Sequence, residues 1–166
     1  MTETTSRLVL PLLQTAQAQK EITHNEALVL LDALVHASAE SADLAAPPAA
    51  PTPGQTWLVA APATGEWAGR ADALAVFTTG GWRFIAPVEG LALWLADRAL
   101  PAVYRDGAWV IGSLAATGLE IDGHQVIGAR QGAIADPDGG TTVDAECRAA
   151  LATLLAALRT HGLIET

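Results

Sequence analysis

Glu21 and His24 stand in the order Glu-x-x-His, one of the two such copies that di-iron helical bundles use among their ligands. The second copy is missing, so a bridged metal pair has too few ligands here. Asp136-Pro137-Asp138-Gly139-Gly140 begins as a calcium loop begins. Counting on from Asp136, however, Thr141 falls where an EF-hand needs its sharp-turn glycine, and Cys147 falls where it needs its closing glutamate. The four histidines, at positions 24, 36, 124 and 161, lie in different segments without the close spacing of a zinc site. No metal site and no cofactor are expected.

Hydrolytic chemistry is no better supplied. The chain has no G-x-S-x-G elbow, no Cys-His signature and no G-x-x-x-x-G-K phosphate loop. A glycosidase needs only two facing carboxylates, and Glu66, Asp72, Glu89, Asp97 and Asp106 supply the raw material. A β module of this size would hold them in a shallow site, so the chain reads as non-enzymatic. Aromatic rings remain, since they stack on sugars and anchor protein interfaces. Trp82, Trp94 and Trp109 sit in strand-like runs and are expected in the core. Trp67, in the loop-like ATGEWAGR, is the candidate exposed glycan contact.

The elements that must position these residues are legible in the pattern. Thr23-His24-Asn25-Glu26 has the form of a capping box, and Ala27, Leu28, Leu31, Leu34 and Val35 recur at helical spacing behind it, predicting a helix from about Thr23 to Ser38. Pro47, Pro48, Pro51 and Pro53 then remove amide donors and fix backbone angles, which predicts a semi-rigid strap. From Gln55 the runs turn short and rich in Val, Trp, Leu, Phe and Ile. Gly80-Gly81, Asp106-Gly107 and Asp122-Gly123 punctuate them as two-residue hairpin turns. That pattern predicts an antiparallel meander of six to eight strands.

The last helix opens near Val143 or Asp144. Asp144 and Glu146 in its first turn and Arg159 and His161 in its last suit the helix dipole, and Gly162 supplies the stop. Cys147, Leu151, Leu154 and Leu158 follow at steps of four, three and four, the a/d alternation of a coiled-coil seam, the alternative being a stripe packed on the β module of its own chain. The expected fold is therefore α+β: an N-terminal helical attachment segment (1–44), a Pro-rich linker (45–54), a small antiparallel β module, meander or barrel-like (55–128), and a turn with an amphipathic C-terminal oligomerisation helix (129–166).

Composition bounds the partners. Of 166 residues 51% are hydrophobic, but much of that share is Ala, which contributes helix propensity and little buried area. Self-association would supply the missing burial. A formal net charge of −9 opposes binding to a phosphate backbone, so no nucleic acid is expected. The lone cysteine cannot close an intramolecular disulfide, and its setting in the last helix predicts a buried thiol. LVLPLL, broken by Pro11, is shorter than a signal-peptide core, and no run reaches membrane-spanning length. The expectation is a soluble protein made in the cytoplasm.

PLLQTAQAQKEITHNEALVLLDAL, followed by GQTWLVAAPATGEWAG and GGWRFIAP, resembles a family of uncharacterised domains in alphaproteobacterial prophages and gene transfer agents. The closing IADPDGGTTVDAECRAALATLLAALRTHGLI resembles a tail carried by many of the same virion proteins. The resemblance implies a structural part of a phage-like particle, a head spike or tail fibre serving host attachment, assembled in the bacterial cytoplasm. It brings no catalytic residues. Its implied partners are capsid or tail proteins and capsular polysaccharide, while the paired terminal helices and the heptad step point to sister copies, a trimer first or a pentamer at a fivefold vertex. In the residue reading, Gln14, Gln17, Gln19, Lys20 and Asn25 form the polar particle-attachment face, and Cys147, Leu151, Leu154 and Leu158 close the oligomer.

Overall fold

A computed structural model describes residues 3–13, 20–140 and 144–165. Among the described residues the elements run α1 (Lys20–Leu34), nine short strands and α2 (Ala145–Thr160), the first strand preceding the Pro-rich strap. The strands are β1 (Ser38–Ala39), β2 (Thr56–Leu58), β3 (Leu74–Thr78), β4 (Gly81–Ile85), β5 (Ala92–Leu95), β6 (Leu100–Arg105), β7 (Ala108–Ile111), β8 (Leu119–Ile121) and β9 (His124–Ile127). The chain is α+β. It divides into two compact units, Met1–Ser113 and Leu114–Thr166.

In the first unit the strands form two sheets, β2-β3-β4 and β1-β5-β6-β7, where a single meander was expected. The reason lies just after α1. Ser38 and Ala39 pair in parallel with Trp94 and Leu95, which the chain reaches only after the whole first sheet has been made. Residues 40–45 then run beside β2 and its continuation, Glu40 N–H donating to Thr56 O, Leu58 N–H to Ser41 O and Ala60 N–H to Leu44 O. Helix, Pro-rich strap and strands thereby share one body.

Alternation explains the burial. In β5, Leu93 and Leu95 point inward while Ala92 and Trp94 point out. Leu58, Leu74, Val76, Leu93, Leu95 and Ala102 form the main core with Ala33, Ala37 and Ala39. Asp106-Gly107 and Asp122-Gly123 make their turns with both residues at positive φ, as the hairpin geometry demands. The β3–β4 turn falls one residue earlier than expected, because Gly81 pairs with Thr78 as the first residue of β4.

Helix α1 differs from expectation at both ends and in its orientation, stopping at Leu34 while Ser38, its expected end, is already in β1. It already runs from Lys20, so Thr23 is an interior helical residue and not a cap. Its inward face carries Val29, Asp32 and Ala33, while Leu31 and Val35 of the predicted stripe are exposed. The outcome turns on Asp32, a buried charge that an apolar-stripe reading ignores.

In the second unit, β8 and β9 form a two-stranded hairpin, and Gln131 bridges to Ile164. Asp144 caps α2 by accepting from Cys147 N–H at 2.8 Å, and Gly162, at φ 70°, ends it. Arg159 ties the 134–136 loop to the helix through Asp136 Oδ1 (2.9 Å) and Ile134 O, and Arg148 reaches Gly139 O.

Candidate attachment surfaces

Asp32 organises the N-terminal segment. A carboxylate within an apolar helix face needs acceptor work to do, because leaving it unpaired and dry is costly. The chain provides it by folding residues 3–12 back over α1 as a loop, closed by the Thr4–Pro11 bridge and by Leu12 N–H donating to Glu3 O at 2.8 Å. Asp32 Oδ1 accepts from Thr5 Oγ1 (2.8 Å) and Leu8 N–H (2.6 Å), and Oδ2 from Arg7 N–H (2.9 Å). Arg7 extends past this carboxylate to the helix end. Its guanidinium donates to the carbonyls of Asp32 (2.6 Å) and Ala33 (3.1 Å) in the last turn of α1, and to that of His36 (2.9 Å) just beyond the helix.

Nothing in the sequence reading singled out this lock. Its one signal is a lone Asp in LVLLDALV. The cleft beside it, about 60 Å³ and lined by Thr5, Ser6, Val29, Asp32, Gly54 and Val76 among others, holds water-sized groups and is too small for a sugar ring.

The predicted particle-attachment face falls largely where little is described. Gln14, Gln17 and Gln19 lie outside the described residues, as does the side chain of Lys20. Asn25 is described, and its amide is engaged at both ends: Oδ1 accepts Leu13 N–H at 2.9 Å and Nδ2 donates to Leu13 O at 3.0 Å. Glu26, one residue on, turns to the sheet and not back to a cap. It takes a forked contact from Arg83 of β4, with Nη2 to Oε1 at 2.7 Å and Nε to Oε2 at 2.9 Å. The Arg83 hydrogen bond holds the Glu26 carboxyl below its ordinary range against the opposing effect of partial burial.

Trp67 is not a surface ring. It is 0% exposed, packed at centroid distances of 5.1 Å from Trp82 and 6.3 Å from Trp57. A 3₁₀ turn, Gly65–Trp67, puts it there: Thr64 N–H donates to Ala45 O, and Gly65 and Gly69 take positive φ so that the chain can double back and aim the indole inward. The glycines that made this stretch look like a free loop are what permit its burial. Trp94 makes the reverse correction. Expected in the core, it is 48% exposed on the outer face of β5, opposite Pro101 of β6 and Ser38 of β1. Cys147, expected to be buried, is exposed.

The residues of the predicted C-terminal seam differ in exposure. Leu151 is 45% and Leu154 58% exposed, Leu158 is half-buried, and Leu155, off the seam, is buried. The candidate glycosidase carboxylates serve locally where contacts are seen: Glu89 accepts Asp106 N–H at 3.1 Å, and Asp97 lies 3.9 Å from Arg98. None of the five lines the cleft beside Asp32 or the two shallow depressions of the second unit. No group of three or more metal-ligating side chains occurs among the described residues. No helix among them is long and apolar enough to cross a membrane.

Residues 24–110 match the model of a family described as a protein of unknown function, DUF2793. That span starts within α1 and ends within β7, so it takes in both sheets and the three-tryptophan cluster. No curated protein matches the chain.

Proposed function

We propose, starting from the fact that this chain belongs to the DUF2793 family, that it is a non-enzymatic, homo-oligomeric structural component of a phage-like particle, a head spike or fibre that supports adsorption to the host surface. The observation that carries the reading is the exposed seam of α2, where Cys147, Leu151 and Leu154 face solvent at coiled-coil spacing. A seam of about two heptads is marginal alone and gains stability when sister copies share it. A trimer is the first assignment. The N-terminal segment carrying Gln14, Gln17, Gln19, Lys20 and Asn25 would meet the capsid or tail protein. The test is gradient sedimentation of particles from an expressing strain, probed with antibody. Co-sedimentation in fixed stoichiometry with the capsid protein is expected, and a protein found only in the free fraction overturns the reading.

A second reading is favoured by one observation, the exposed indole of Trp94 on a sheet face beside Pro101. An exposed indole on a sheet face offers an apolar surface on which a sugar face can stack, so capsular polysaccharide is the ligand class. Trp94→Ala should then abolish retention on immobilised host polysaccharide without moving the thermal transition. Unchanged retention removes this reading.

A further inference from the structure

Between Arg148 and Arg159, helix α2 reads AALATLLAAL, ten residues without a charge. A helix on a protein surface ordinarily carries charged side chains on the side facing water, and one apolar all round is enclosed on all sides. The only hydroxyl in the stretch does not provide a wet face either, since Thr153 Oγ1 donates back to Ala149 O at 2.8 Å. Yet Leu151, Leu154 and most of the alanines are exposed, and the flanking arginines are spent on the 134–139 loop. The helix has the composition of a buried element in an open position.

The rest of the second unit has the same mismatch. Every residue of β8 and β9 is exposed, Leu119, Ile121, Val126 and Ile127 among them, although an isolated two-stranded hairpin is marginal in water. Leu155 and Ile164 are the only buried large hydrophobics of the unit among its described residues. Two such side chains offset about 3–6 kcal/mol, far less than the backbone entropy of ordering some fifty residues at about 1–2 kcal/mol each. The first unit is different, having a core of leucines, valines and tryptophans from two sheets.

We infer that residues 114–165 are a co-folding assembly unit, in which α2 and the β8–β9 hairpin reach their stable tertiary arrangement only when enclosed by the same segment of sister copies, while the first unit folds without them. The occupant follows from the seam itself. Residues 151, 154 and 158 repeat the spacing that inserts into an identical helix, and charges stand only beyond the ends of the uncharged stretch, so copies laid side by side bring no like charges together along it. This rests on the homo-oligomer of the proposed function and not on its particle. An intact oligomer absent from particles would overturn the particle reading alone.

The chain carries its own reporters. All five tryptophans lie in the first unit and the second has no aromatic residue, so indole emission follows the first unit alone. Helical ellipticity at 222 nm follows both units, since α2 contributes 16 helical residues beside the 15 of α1. Analytical ultracentrifugation of the full chain should give a multiple of 17.1 kDa. The double variant L151E/L154E should sediment as a monomer that has lost about half its helical signal with unchanged tryptophan emission. A wild-type monomer, a variant that stays oligomeric, or a monomeric variant with full helical signal would each overturn the inference. So would flotation of the wild-type protein with phosphatidylcholine vesicles in place of self-association, which would make lipid the cover.

Discussion

Arg83 of β4 and Glu26 of α1 meet as a two-pronged ion pair across 57 residues of sequence. It is the polar tie between the N-terminal helix and the three-stranded sheet. Because the Arg83 hydrogen bond lowers the Glu26 carboxyl, the folded protein gains stability from it at pH above the unfolded glutamate value of about 4.3, and loses that gain as pH falls through the lower folded value. Glu26→Gln should therefore weaken the protein near neutrality and leave it nearly unchanged at the acid end. Both side chains are about a third or more exposed, so the effect at pH 7 should be under about 1 kcal/mol. Thermal melts of the two proteins between pH 3 and 7 check it, and parallel curves would refute the assignment.

Removing the acceptor at Asp32 should cost more. Asp32→Ala leaves Thr5 Oγ1, in a buried bond, and Leu8 N–H and Arg7 N–H, in partly buried ones, without their shared partner. A loss of about 3 kcal/mol is expected, with early proteolytic cleavage within residues 3–13. Urea unfolding followed by tryptophan emission, with mass spectrometry of a timed digest, reads both.

Gly54 lies where the loop passes closest. Its φ is 96°, and a Cβ there would stand 3.0 Å from Ser6 Cβ. Gly54→Ala should destabilise by about 1–3 kcal/mol through backbone strain and loop displacement together. A melt that matches wild type would show that the loop yields without cost.

Trp67 and Trp94 should exchange the consequences their sequence contexts foretell. Trp67→Ala opens a cavity in the three-tryptophan cluster and should cost about 3–5 kcal/mol. Trp94→Ala, on an outer sheet face, should shift stability by no more than about 0.5 kcal/mol. Chemical denaturation of both variants separates them, and equal losses would place Trp94 in a covered site.

The sequence by itself determined what depends on near neighbours. Asp144 and Gly162 bound α2 because a cap and a stop are made with residues three or four away. Asp106-Gly107 and Asp122-Gly123 turn the chain because their backbone preferences are local. Alternation in β5 put Leu93 and Leu95 on one face, but it could not say which neighbouring strand would cover Trp94 or leave it open. Tertiary structure decided whatever needed a distant partner. Ser38 found Trp94 in a parallel pair, Asp32 drew Thr5 and Arg7 over the helix, and Trp67 turned inward to meet Trp57 and Trp82. Each of those contacts gains its energy from removing two remote groups from water at once, and periodicity along a single segment carries no record of the second group.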